Sequence, residues 1–113
     1  MTKHSLELLL HIRDECNFIM ENSTDLDPED LYEDGMKSRA FIRSIEIIGE
    51  ASKSIPDEFK DEHEEIPWKV MAGMRDILIH RYSGVDLKIV YDVVQNQIPQ
   101  LLNDIDPLID ELK

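Results

Sequence analysis

The chain has 113 residues, 42% of them hydrophobic and 33% charged, with a formal net charge of −13. That size suits one domain spanning residues 1–113 with one modest core. The acidic balance argues against a surface that clamps nucleic acid all over, and no window approaches the ~18 apolar residues of a membrane span.

Residues 4–22 carry Leu6, Leu9, Leu10, Arg13, Cys16, Ile19 and Met20 at spacings of three and four, which predicts a helix. The start Met1-Thr2-Lys3-His4-Ser5 leads into Glu7, His11 and Arg13, unlike a signal peptide. Cys16 is the single cysteine, so neither an internal disulfide nor a cysteine-based zinc site is expected, and a reducing cytoplasm is the default location. Asn22-Ser23-Thr24-Asp25 ends this helix. Asp27-Pro28-Glu29-Asp30 then reads as a new start, with Asp27 as N-cap and Pro28 at the first helical position. Gly35 is expected to cut this piece short.

Residues 36–54 predict a long amphipathic helix. Ala40, Phe41, Ile45, Ile47, Ile48, Ala51 and Ile55 form its apolar face, while Arg39, Arg43, Glu46 and Glu50 cluster within roughly 60° on another. Ile55-Pro56 ends it, since the residue before proline is pushed out of the helical region. The acidic stretch 57–65 reads as a loop or a single helical turn.

Pro67 opens a helix running to about residue 80. Ser83-Gly84-Val85-Asp86 predicts a turn, with Asp86 capping a last helix that carries Leu87, Val90, Val94, Ile98, Leu101, Leu102 and Ile105. Pro99 should kink that helix, and Asp106-Pro107 either caps a final turn or kinks it again. No alternating strand pattern occurs. The expectation is an all-α bundle of four main helices with short helical turns.

The helix from residue 67 to 80 stands out. Apolar residues occur on every side of it, which predicts burial, yet it carries Arg75, Asp76 and His80. A buried charge without a partner costs several kcal/mol, so Arg75 must be paired or line a cleft. Asp76 and His80 are four apart and can touch on a helix, where a carboxylate would hold one imidazole nitrogen. Arg75 and His80 are five apart, about 140° around, and converge only if the helix loosens, the side chains curl, or a second copy contributes. The purely structural reading is equally open here. In it Arg75 pairs with Glu46 or Glu50, and Asp76 and His80 satisfy each other.

Charge is unevenly spread. Residues 1–35 hold ten acidic and two basic side chains, whereas residues 36–55 and 67–91 each hold four basic and two acidic ones. Any phosphate chemistry is expected where those two segments meet. A metal enzyme is not expected: paired Glu-x-x-His motifs are missing, and His4, His11 and His63 are scattered. Met20, Met36, Met71 and Met74 read as core fillers.

Arg75, His80 and Tyr82 stand as Arg-x4-His-x-Tyr. That pattern resembles the signature of HepT-like proteins in the HEPN superfamily. Phe41 to Ala51, Ile66-Pro67-Trp68, Ala72-Gly73-Met74-Arg75-Asp76 and Gly84-Val85-Asp86 resemble the family's other segments, in order along the whole chain. The resemblance implies a helical-bundle homodimer with the motif at a cleft, acting as the toxin of a type II toxin–antitoxin system. It implies an endoribonuclease that needs no metal or cofactor, with an RNA substrate. It implies an MntA-like minimal nucleotidyltransferase as antitoxin, adding AMP to Tyr82. Arg75 and His80 would then be catalytic and Asp76 would orient His80. Arg81 would add a phosphate contact, with Arg43, Glu46 and Glu50 in support. Arg81 is a departure, because the family more often has a small or acidic residue there. The rival expectation is an inactive helical module that binds a nucleotide or a nucleotidyltransferase.

Overall fold

The computed structural model describes residues 2–79, 84 and 86–113, with the side chains of Thr2, Lys3, Ile77 and Ile79 excepted. The described residues form seven α-helices: α1 (Thr2–Asn22), α2 (Pro28–Glu33), α3 (Gly35–Ser54), α4 (Asp57–Glu62), α5 (Trp68–Ile79), α6 (Leu87–Asp92) and α7 (Ile98–Leu112). A π-helical segment, Val93–Gln97, joins α6 to α7, so they form one long rod. Four long elements therefore make the all-α bundle: α1, α3, α5 and the α6–α7 rod. No strand occurs among the described residues, and none of their helices is long and apolar enough to cross a membrane.

The bundle is organised around α3. It packs on α1 along one side and on α5 along the other, while α1 also packs on α7. The seam of α1 is Ser5, Leu9, Ile12, Cys16 and Ile19, spaced four and three residues apart and all within 1% of complete burial. Sequence periodicity placed Arg13 on that seam and omitted Ile12. Leu9, Cys16 and Ile19 lie on the seam as the periodicity predicts, whereas Ile12 takes the place expected of Arg13, which lies beside it, 3.9 Å from Asp106 of α7. Met20 is 38% exposed. α1 packs on α3 and α7, and Phe41, Ile45 and Ile48 of α3 and Ile98, Leu101, Ile105 and Ile109 of α7 are buried in the same core. Each such side chain contributes about 1.5–3 kcal/mol on leaving water, so this core holds the fold.

Local signals set the boundaries. The Asp30 carboxylate accepts from the Asp27 N–H at 2.9 Å, closing the start of α2. Gly35 does not end that helix. Asp34 does, with extended backbone, and its carboxylate caps α3 by accepting from the Lys37 N–H at 3.0 Å. Gly35 is instead the first residue of α3. Asp86 caps α6 through the Lys88 N–H at 2.9 Å, as its position suggested. Gly84, before it, has φ of 97°, in the left-handed region that side chains disfavour.

Two prolines lie in or beside α7. Pro99 follows the π-helical segment, where the Ile98 N–H bonds to the Val93 carbonyl, five residues back. The extra residue in that turn accommodates the missing proline N–H while the rod continues. Pro107 lies inside α7, which runs on to Leu112. The acidic stretch 57–65 yields a six-residue helix, α4, because Phe59 is buried against the ring of His63 and the edge of Trp68. The Trp68 indole donates to the His63 carbonyl at 2.9 Å, which fixes the entry into α5.

Candidate active site

α5 is not buried all round. Trp68, Met71, Met74 and Leu78 are buried, but Val70 is 53% exposed. The described part of the bundle covers one side of α5 and leaves an apolar groove on the other. Ile45, Val70, Gly73, Met74, Leu78 and Val93 line it.

Arg75 rises from the α3-facing side of α5. Its placement depends on Gly49: a Cβ built at that residue would overlap the Cβ of Arg75 and lie 3.3 Å from the Arg75 nitrogen and from the Met71 carbonyl. The missing side chain lets the two backbones approach closely just where Arg75 leaves the helix.

Five further charged groups gather around it. Arg75 Nε lies 3.7 Å from Glu50 Oε1, and the same oxygen is 3.8 Å from Arg43 Nη1. Arg43 Nη1 is also 3.9 Å from Glu46 Oε2. On the other side, Arg75 Nη1 lies 3.7 Å from Asp76 Oδ1, which accepts a hydrogen bond from Lys53 Nζ at 2.7 Å. Three cations, Arg43, Lys53 and Arg75, thus face three carboxylates, Glu46, Glu50 and Asp76. α3 supplies four of these groups and α5 the other two.

Of the two candidate partners for Arg75, then, Glu50 is taken and Glu46 goes to Arg43. The guanidinium is not sealed in, since the Arg75 side chain is 30% exposed. Its ion pairs at 3.7 Å exceed hydrogen-bond length, and its Nε is buried with no hydrogen-bond partner among the described residues. A planar guanidinium held by charge and still 30% exposed is suited to an anion with several oxygens. Pairs this exposed contribute about 0–1 kcal/mol each, so the cluster adds little to stability beside the core. His80, Arg81 and Tyr82 lie outside the described residues.

The model of the family described as "Ribonuclease HepT-like" matches residues 12–108, which includes α3, α5 and all of the charged cluster. The chain belongs to the HepT-like ribonuclease family. A provisionally named RNase of Caldanaerobacter subterraneus subsp. tengcongensis is 43% identical over 105 residues, covering 93% of this chain and 94% of that protein. A protein of Thermococcus cleftensis named probable ribonuclease HepT is 44% identical over 101 residues, covering 89% of this chain and 92% of its own. A provisionally named RNase of Methanocaldococcus jannaschii is 33% identical over 114 residues, covering 100% of this chain and 94% of its own. No solved structure gives a significant match.

Two residues of the cluster escaped the sequence reading. Lys53 is 23 positions from Asp76, and no periodicity links them. Gly49 was visible only as part of a helix resembling the family's second one. A glycine inside a long amphipathic helix, opposite a charged motif, was the available signal for a close helix crossing.

Proposed function

We propose that this chain is a metal-independent endoribonuclease, the toxin of a type II toxin–antitoxin system. The observation that carries this is Arg75: a part-exposed guanidinium fixed by a glycine contact and two carboxylates, five residues before a histidine. Family membership supports the same reading.

The chemistry needs no group beyond these. His80 takes the proton from the 2′-hydroxyl of the substrate, and that oxygen attacks the adjacent phosphorus. The O2′–P bond forms and the P–O5′ bond breaks, leaving a 2′,3′-cyclic phosphate. The departing 5′-oxygen takes up a proton from water, and His80 returns the proton it took to the solvent. Arg75 stabilises the extra negative charge on the pentacovalent phosphorane. Asp76 orients His80, and Arg81 adds a phosphate contact. Glu50 and Arg43, with Glu46 behind them, hold Arg75.

The cytoplasmic protein works as a homodimer. The apolar groove beside exposed Val70 supports this. A second copy would cover the apolar side chains. The antitoxin is a minimal nucleotidyltransferase that adds AMP to Tyr82, placing an anionic phosphodiester in the cleft and occupying Arg75.

One observation favours a second reading, an inactive module that binds a nucleotide or the nucleotidyltransferase. Each cation in the described cluster already faces a carboxylate. The deciding experiment is cleavage of RNA with chelator present, by wild type freed of AMP and by His80→Ala. Cleavage by wild type that disappears in the variant supports the ribonuclease. Inactive wild type supports the module. An intact mass raised by AMP units, lost in Tyr82→Phe, tests the modification.

A further inference from the structure

Arg75 and Asp76 are neighbours in sequence and of opposite charge, and one more ångström of approach would turn their 3.7 Å contact into a hydrogen-bonded pair. Such a pair would consume the donors that a phosphate needs, because the fork that fits a carboxylate is the fork that fits phosphate oxygens. Lys53 stands against this as one of the partners of Asp76. Its ammonium donates to Asp76 Oδ1 at 2.7 Å, the shortest polar contact in the cluster and the only one within it at hydrogen-bond length among the described residues. That oxygen is also the one nearest to Arg75.

We propose that Lys53 is a positioning residue: by binding Asp76 it keeps the guanidinium of Arg75 open to a phosphate. The proposal rests on the phosphate role of Arg75 given above. Stability does not explain the pair, since Lys53 and Asp76 are 41% and 46% exposed and ion pairs so exposed add little to stability.

Two measurements test this, one of which needs no RNA. In ¹H–¹⁵N spectra of the arginine side chains, the Arg75 Nε–H signal should move in Lys53→Met, as Arg75 closes on Asp76. It should stay in place in Lys53→Arg, and in the Lys53→Met/Asp76→Asn double variant it should match Asp76→Asn alone. An Arg75 signal unmoved by Lys53→Met overturns the proposal, whatever the RNA result.

The second measurement is affinity for a 2′-O-methyl oligoribonucleotide, which has no free 2′-hydroxyl to react. Lys53→Met should weaken binding about fivefold in the wild-type background and leave it unchanged in the Asp76→Asn background, with Lys53→Arg restoring it. Equal weakening in both backgrounds would mean that Lys53 touches RNA directly, which also overturns the proposal. A shifted Arg75 signal with no RNA binding by wild type would leave the positioning of Arg75 standing and sink the ribonuclease reading instead.

Discussion

The Cβ of Arg75 fills the volume that a side chain at Gly49 would occupy. Gly49→Ala is therefore predicted to destabilise the protein by about 1–2 kcal/mol, even though alanine is the better helix former by ~1 kcal/mol. The neighbours include backbone atoms at 3.3 Å, which have no rotamer to escape into. Gly35→Ala is the control: it lies at the start of the same helix with nothing within 4 Å, and should be neutral or slightly stabilising. Urea denaturation of the two variants checks the contrast.

Glu50→Gln separates holding from attraction. The substitution removes a negative charge 3.7 Å from Arg75, so RNA binding should hold or tighten. It also releases Arg75 from its fixed position, so kcat should fall, by roughly ten- to a hundredfold. Stability should change by less than ~1 kcal/mol, because Glu50 is 45% exposed. Steady-state kinetics would read a lower kcat with KM unchanged or lower. A raised KM at constant kcat would show that Glu50 does not position the guanidinium.

Part of the described charged cluster was legible in the sequence, for identifiable reasons. Arg39, Arg43, Glu46 and Glu50 share a face by helical periodicity alone, and an arginine on a largely apolar helix needs a carboxylate. The ordered motifs then named the family. The pairing of Lys53 with Asp76 was not legible, because it depends on how α3 crosses α5, and Gly49 sets that crossing. The exposure of Val70 was missed for a related reason. Apolar residues all round α5 predict burial, whereas the described fold of the single chain leaves Val70 exposed. Short-range rules fared better: Asp27, Asp34 and Asp86 cap within three residues, although Asp34 was overlooked beside the glycine that follows it.

Val70→Asp tests the groove. Val70 is 53% exposed in the single chain, so the fold should tolerate the charge, and helical content should be preserved. Sedimentation should show dimer for wild type and monomer for the variant, since a carboxylate without a partner in an apolar interface is costly. A wild-type monomer, or a variant that stays dimeric, would contradict the role given to this face.

Cys16 predicts an alkaline limit. Burial first, then Asp106 and Glu15, push its thiol from the ordinary 9.0 up to about 12. The sign follows from linkage: above pH 9.0 the unfolded thiol loses its proton while the buried one keeps it, so this group favours unfolding as pH rises. Its contribution is intact below pH 9.0 and is lost between there and about pH 12. The slope is ~1.4 kcal/mol per pH unit. The stability advantage of wild type over Cys16→Ala, measured by denaturant titration, should shrink across that range. A constant advantage would mean that the thiol titrates alike in both states.

The central claim is that the RNA supplies its own nucleophile while Arg75 and His80 supply charge and proton transfer. The ends of the cleavage products test it most directly. Wild type freed of AMP, with chelator present, would be given an oligoribonucleotide and the same strand with 2′-deoxy sugar at the cleaved nucleotide. The prediction is a 2′,3′-cyclic phosphate and a 5′-hydroxyl from the first, no cleavage of the second, and no products from Arg75→Ala or His80→Ala. Products bearing 3′-hydroxyl and 5′-phosphate ends, or cleavage at the deoxy position, would contradict it.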